Sequence, residues 1–231
     1  MKNYDPNDAW SKKFLNSTDM AFPSEYVIRI FKGKYPELDL SQTDFLNKKI
    51  CDIGCGDGRN IVLLDQCKFQ TFGTEITEKI VEKTKNNLTK LNIISDIRVA
   101  KNDNLPFENN FFDFLLSWNS SYYMGENKNF QKHVEEFNRI LMPNGFLVIS
   151  IPKKTCFIFS ESKIVKEGYV RIQNDPFNVR NGEILRIFNN EQEIQDSLSK
   201  YFTDFIFGSI EDNCFGLNYH WHILVCKKKS S

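Results

Sequence analysis

The residues best equipped for chemistry stand in one short stretch, Ile50-Cys51-Asp52-Ile53-Gly54-Cys55-Gly56-Asp57-Gly58-Arg59-Asn60. An acid closes an apolar run, and three glycines then alternate with other residues. Glycines at such a turn let the backbone bend sharply and let a ligand approach without interference from Cβ atoms. A second acid, Glu75, stands 23 residues beyond Asp52 at the end of the next apolar run. A carboxylate in that place can accept both hydroxyl hydrogens of a ribose. Two ligand classes suit a glycine turn followed by a ribose acid. A dinucleotide needs G-x-G-x-x-G, with its pyrophosphate resting on the N-terminus of the next helix. Here Arg59 occupies the place of the third glycine, and Asp52 and Asp57 bracket the turn with charge that repels a pyrophosphate. The same acids favour a ligand carrying an ammonium and a sulfonium, as the methionine end of S-adenosylmethionine does.

The elements that position these residues alternate. Residues 49–53 read as a short strand, and 59–66 as a helix entered through the glycines. Residues 69–75 form the next strand. A helix over 77–91 follows, with Ile80, Val81, Thr84, Leu88 and Leu91 on one face. Strands at 97–100 and 112–118 precede a helix over 130–141, whose Phe130, Val134, Phe137 and Leu141 keep helical spacing. Residues 146–151 are almost uninterruptedly apolar, as a strand buried on both faces must be. This succession predicts an α/β fold with a parallel sheet. Upstream, short helices are expected at 8–15 and 24–31. Residues 153–190 read as irregular, and Asn190-x-x-Glu193 as a capping box opening a helix to residue 201. Strands at 203–210 and 219–226, joined by a polar loop at 211–216, should be antiparallel neighbours. One domain over 1–231 is expected: a lid region at 1–45, a ligand-binding core at 46–152, an insert at 153–190, and a final helix and two strands at 191–227.

The segment Asp52-x-Gly54-x-Gly56-x-Gly58 resembles motif I of the class I methyltransferases. Arg98-Val99-Ala100-Lys101-Asn102-Asp103-Asn104-Leu105-Pro106-Phe107, then Phe111-Phe112-Asp113-Phe114-Leu115-Leu116-Ser117, resembles the family's adenine loop and fourth strand. Residues 134–151, with Arg139-Ile140-Leu141-Met142-Pro143-Asn144-Gly145 inside them, resemble the helix, turn and fifth strand that follow. The likeness runs over residues 48–152, and four blocks in register are far more specific than one glycine motif. It implies a Rossmann-like, mostly parallel sheet with a C-terminal antiparallel strand and helices on both faces. It also implies transferase activity with S-adenosyl-L-methionine as cofactor. By the same resemblance, Asp52 and the backbone of Gly54, Cys55 and Gly56 hold the methionine moiety. Glu75 holds the ribose with Ile76 beside it, and Asn102 and Asp103 meet the adenine edge. Trp118 and Asn119 lie beside the sulfonium. Lys101 stands where many relatives carry an acid for the adenine amine, and Asp103 is placed to substitute for it.

Displacement of a methyl group from a sulfonium is in line, from a leaving group already activated. The protein therefore has mainly to align donor and acceptor and exclude water. Residues 117–123, Ser-Trp-Asn-Ser-Ser-Tyr-Tyr, lack the [DN]-P-P-[YF] of amide and nucleobase-amine methyltransferases and the acidic cluster of a metal-dependent O-methyltransferase. O- or N-methylation of a small molecule without metal is the expectation that remains. An antiparallel last strand would begin at the carboxyl edge of the sheet and place His220 near the acceptor, with His222 two positions deeper on the same face. His220 is thus the candidate general base; the other reading is a strand histidine held by packing or hydrogen bonds. His133, mid-helix, reads as structural. Tyr122 and Tyr123 are candidates for the acceptor pocket beside Asn119, and Tyr4, Trp10 and Phe14 for a lid over it. The basic excess of the insert (Lys153, Lys154, Lys163, Lys166, Arg171, Arg180, Arg186) suits either an anionic acceptor, such as a phosphorylated or nucleotide-linked metabolite or sugar, or a solvated face. The alternatives of another class are a NAD-binding oxidoreductase and a non-catalytic S-adenosylmethionine-binding module.

Composition narrows the partners. Lys plus Arg and Asp plus Glu number 30 each, so the chain lacks the basic excess with which proteins displace counterions from nucleic acid. A length of 231 residues with 21 Phe suits one well-filled α/β domain. No basic-then-apolar signal opens the sequence, and no apolar run approaches the ~18 residues of a membrane span. The six cysteines form no C-x-x-C pair and read as buried thiols in a reducing cytoplasm. Neither nucleic acid nor membrane is expected as a partner. The oligomeric state stays open.

Overall fold

In the computed structural model, which describes residues 6–17, 19–40 and 43–230, two helices lead the chain, α1 (Pro6–Asn16) and α2 (Glu25–Lys32). The alternation then follows as β1 (Lys49–Ile53), α3 (Arg59–Gln66), β2 (Gln70–Glu75), α4 (Glu78–Lys90), β3 (Asp96–Val99) and β4 (Phe112–Ser117). Next come β5 (Tyr123–Met124), α5 (Phe130–Ile140), β6 (Leu141–Pro152), β7 (Ser162–Lys166), β8 (Tyr169–Ile172) and β9 (Ile184–Arg186). The chain ends through α6 (Glu191–Leu198), β10 (Phe202–Cys214) and β11 (Leu217–Lys228). Seven strands form one sheet in the order β10-β11-β6-β4-β1-β2-β3. The pairs among β6, β4, β1, β2 and β3 are parallel, while β11 runs antiparallel to β6 and to β10. The chain leaves β1 toward β2 and β3 and returns to β4 on the other side of β1. That reversal opens a crevice beyond the carboxyl ends of β1 and β4, the place where open α/β sheets bind ligands.

Period-two alternation divides the core between the two faces of the sheet. Ile50, Phe114, Leu116, Val148, Ile223 and Val225 pack with Val27, Ile30 and Phe31 of α2 and Leu63 and Leu64 of α3. Their neighbours Cys51, Leu115, Leu147, Ile149, Leu224 and Cys226 pack with Phe130, Val134, Phe137 and Ile140 of α5 and Ile194 and Leu198 of α6. The middle of β6 is therefore buried on both faces, as its apolar run predicts. Among the described residues no helix is long and apolar enough to cross a membrane.

Four expectations need correction. Residues 153–190 are not irregular: β7, β8 and β9 join β5 in a second, antiparallel sheet ordered β5-β9-β8-β7. These strands are two to five residues long and β7 is largely exposed, too short and too solvated to show an alternating pattern. The loop at 211–216 is mostly strand, with pairing that runs to Cys214↔Leu217. The capping box is half formed: Asn190 Oδ1 accepts from Glu193 N at 2.9 Å, but Glu193 Oε2 accepts from Asn189 N at 2.7 Å instead of the cap residue's own N–H. Cys214 is exposed, while the other five thiols are buried.

Candidate functional site

Gly54, Gly56 and Gly58 have φ values of 73, 59 and 91°, so the turn after β1 runs through conformations that side chains resist. At Gly54 a Cβ would also stand 2.6 Å from Ser120 Cβ, because the loop after β4 closes directly on the turn. The turn is tied to the neighbouring strand: Gly54 N and Cys55 N both donate to Thr74 O at 3.0 Å. Glu75, at the end of β2, completes the tie. Its Oε1 accepts from Gly56 N at 2.8 Å and its Oε2 from Ile76 N at 2.9 Å, which leaves a lone pair on each oxygen facing the crevice. Burial raises the Glu75 pKa, and the two backbone N–H groups oppose that shift.

Asp52 lies beneath the turn with 1% of its surface exposed; neither carboxylate oxygen makes a well-formed hydrogen bond, and the Asn60 side chain beside it only partly holds its charge. Burial pushes its pKa up to about 7; Arg59 opposes the shift, and the charges of Glu75 and Asp57 reinforce it. A buried, poorly partnered acid costs stability and marks a place for a cationic partner. The residues fit the methionine end of S-adenosylmethionine: acids for its ammonium, an open glycine backbone, and a ribose carboxylate one strand over. Arg59 lines the same cavity and is suited to a carboxylate.

The cavity has a volume of about 810 Å³, within the range of small-ligand sites. Of the expected cofactor residues, Gly54, Cys55, Gly56, Glu75, Ile76, Asn102, Asp103 and Trp118 line it. Asp52 does not; it sits below the glycines. At the adenine end Asn102 Nδ2 donates to Ser120 O at 3.0 Å, and Asp103 is engaged by Lys128. Lys128 therefore contests the role expected of Asp103.

The opposite wall belongs to other segments. Helix α1 lies against α4 through Ser11 Oγ and Thr77 Oγ1, 3.2 Å apart, and Lys83 Nζ donates to the carbonyls of Phe14 and Ser17 at its C-terminal end. Asp57 Oδ2 accepts from Ala21 N at 2.8 Å and Asn60 Oδ1 from Ser24 N at 3.1 Å, so the residues behind the glycines anchor the leading segment. Trp10 and Phe14 then stack at 5.8 Å over the cavity, with Phe14 against Gly56. Asn119, at φ 60°, and Tyr123 line the same wall. Tyr4 lies outside the described residues.

Two expected site residues are elsewhere. Tyr122 is fully buried in the core and stacks at 4.9 Å on Tyr123, which takes the cavity position. His220 does not line the cavity. Its Nδ1 lies 2.8 Å from Thr155 Oγ1, and its register partner is Glu211. Trp221, one residue on, packs in the core on the α2 and α3 side and approaches Tyr122 at 5.8 Å, which turns His220 to the other face of the sheet. His222 shares that face, with Nδ1 3.4 Å from Glu191 Oε1.

The imidazole at the cavity is His133, whose Nδ1 lies 2.8 Å from Ser121 O. A carbonyl can only accept, so Nδ1 carries the proton and Nε2 is the ring's basic position. Burial lowers its pKa. Its spacing with Phe130 and Phe137 hides it on the apolar face of α5, and a histidine on that face was the available signal. Arg180, one of seven basic residues that the sequence offers in the insert, gives no local signal of its own, because the folding of the insert alone brings it to the wall.

Residues 51–149 match the family described as "Methyltransferase domain". The tRNA (carboxymethyluridine(34)-5-O)-methyltransferase of Arabidopsis thaliana is 28% identical over 106 residues, 44% of this chain and 23% of its own length. The chain thus spans about a quarter of that relative. An S-adenosylmethionine-dependent methyltransferase of Methanosarcina mazei superposes with a TM-score of 0.64 at 18% identity, over 86% of this chain and 99% of its own. Another, from Thermotoga maritima, gives 0.60 at 18% identity over 90% of each chain.

Proposed function

We propose that this chain, whose residues 51–149 match the methyltransferase domain family, transfers a methyl group from S-adenosylmethionine to oxygen or nitrogen of a small molecule. The observation that carries the reading is one continuous cavity. It runs from the glycine turn and Glu75 to a wall made by α1 and the insert, so donor and acceptor share one space. When bound, S-adenosylmethionine supplies a methyl group on a good leaving group. The rest is the work of the chain. Asp52, ionised beneath the glycine turn, draws the donor's ammonium through its charge, and Arg59 on the cavity wall meets its carboxylate. Glu75 accepts the ribose hydroxyls. Trp10 and Phe14 cover the reacting atoms. Nε2 of His133 receives the proton that an acceptor hydroxyl or amine loses. Among the described residues no group of three or more His, Cys, Asp or Glu is placed to hold a metal ion, and displacement at a sulfonium does not require one.

A tRNA acceptor is the second reading, favoured by the activities named for the curated relatives. That likeness covers under half of this chain, and the balanced charge gives little general affinity for phosphate backbones. Incubation with donor labelled in the methyl group, alongside either the low-molecular-mass fraction of a cell extract or bulk tRNA, separates the two. Label is expected in the small-molecule fraction; label in tRNA alone overturns the small-molecule reading.

A further inference from the structure

Trp10 stands between two cations on the acceptor wall. Lys13 Nζ lies 5.0 Å and Arg180 Cζ 5.4 Å from its ring centroid, and both residues line the cavity. Arg180 is not a surface residue: its side chain is 11% exposed and fixed at two points. Nη1 donates to Asp175 Oδ1 at 2.8 Å, and Nε donates to the Tyr123 hydroxyl at 3.0 Å. Asp175 is fully buried, and its Oδ2 is already taken by Val179 N at 2.9 Å. A guanidinium has five N–H donors, so Arg180 retains donors on the cavity side without partners among the described residues. Lys13 has no ion-pair partner among the described residues. Burial lowers its pKa first and the charges of Arg180 and Arg59 lower it further, against Asp175 and Asp57.

The other charges of this wall are differently disposed. Arg171 is paired with Glu126 and Lys128 with Asp103, while Glu183 adds a carboxylate near Tyr123. Arg59 sits beside the glycine turn, where the donor's own carboxylate belongs. With Lys101 at the adenine end beside Asn102, Lys13 and Arg180 are the two cations that flank Trp10, and Arg180 is rigidly held and presents a fork of donors. A planar or tetrahedral oxyanion satisfies the fork and relieves the repulsion between them.

We propose that Lys13 and Arg180 form an oxyanion subsite and that the acceptor is recognised by a carboxylate or phosphate group held there, beside Trp10. The acceptor's identity as a methyl acceptor rests on the methyltransferase reading; the subsite itself does not. The test is calorimetric titration of inorganic phosphate and of acetate, at constant ionic strength in chloride, with and without S-adenosylhomocysteine. Saturable binding of phosphate alone points to a phosphorylated acceptor, and of acetate alone to a carboxylate. Lys13→Gln, which keeps a polar side chain on α1, and Arg180→Lys, which keeps a cation for Asp175, should each weaken that binding at least fivefold. Their affinity for S-adenosylhomocysteine should stay within twofold of the parent. The proposal is overturned if neither anion binds beyond chloride, or if Lys13→Gln binds as the parent does. Lys13-dependent anion binding by a protein that does not bind S-adenosylhomocysteine would instead remove the methyltransferase reading and leave the subsite standing.

Discussion

The donor wall of the cavity comes mainly from one stretch, Gly54 to Ile76, extended at the adenine end by Asn102 and Asp103, whereas the acceptor wall draws Trp10 from α1, Asn119 and Tyr123 from the loop after β4, and Arg180 from the insert. The first is built mainly of backbone: left-handed glycines, N–H groups fixed by Glu75, and a turn locked to β2. The second is built of aromatic and cationic side chains on separate elements. Backbone geometry depends on which residues follow one another, so it suits a ligand that never changes. Side chains on separate segments can be exchanged singly, so they suit the partner that sets specificity.

If the donor wall works through its backbone, the largest effect should follow from a side chain placed in it. Gly54→Val adds a β-branched residue at φ 73° and a Cβ 2.6 Å from Ser120. Backbone strain of about 1–3 kcal/mol and overpacking of about 1–3 kcal/mol both fall on the donor site. S-adenosylhomocysteine binding measured by calorimetry should fall by ~100-fold or more, about 2.7 kcal/mol. Affinity within threefold of the parent would mean that the glycines serve only the turn.

Asp52 gives the next effect, and its sign changes with the ligand. Its folded pKa of about 7 lies above the ordinary 3.8, so the folded state keeps a proton that the unfolded chain releases. Stability contributed by the neutral acid is present at low pH and lost as pH rises through about 7, a term on the order of 4 kcal/mol. Asp52→Asn should therefore melt higher than the parent at pH 8 without ligand and gain much less at pH 5. It should also bind S-adenosylhomocysteine ~10-fold more weakly, for want of a charge to meet the ammonium. Parallel melting curves for the two proteins across that range would show that the acid is satisfied in solution.

The last comparison separates two histidines, and its second member carries the smallest effect. His133→Asn should lower turnover with the true acceptor by ~10²-fold or more if Nε2 receives the proton. His220→Ala, on the far face of β11, should leave turnover within about twofold, the level at which an effect on ΔG is under ~0.5 kcal/mol. The reverse pattern would return the base to His220.

The same contrast explains what could be read before the fold was known. The order of strands, the parallel sheet and nearly all of the donor wall follow from local patterns, because a glycine turn, its preceding acid and the next strand's terminal Glu75 are fixed by sequence spacing alone. The acceptor wall is legible where it too is local, in Asn119 and Tyr123 directly after β4, and in the leading aromatics Trp10 and Phe14 that cover it. Tyr122 and Tyr123 cannot be told apart without knowing which of them β5 turns to the core. His220 was placed at the correct end of its strand and on the wrong face, because the face depends on the register of Trp221 against Pro152. Arg180 reaches the cavity through the second sheet, whose strands are too short to be periodic.

The central claim is that the glycine turn, Asp52 and Glu75 form a site for S-adenosylmethionine and not for a dinucleotide. Calorimetry of the unaltered protein with S-adenosylhomocysteine and, separately, with NAD tests it most directly. The account predicts saturable one-to-one binding of S-adenosylhomocysteine, with a matching rise in melting temperature, and no saturable binding of NAD at the same concentrations. NAD binding of equal or greater affinity would contradict it.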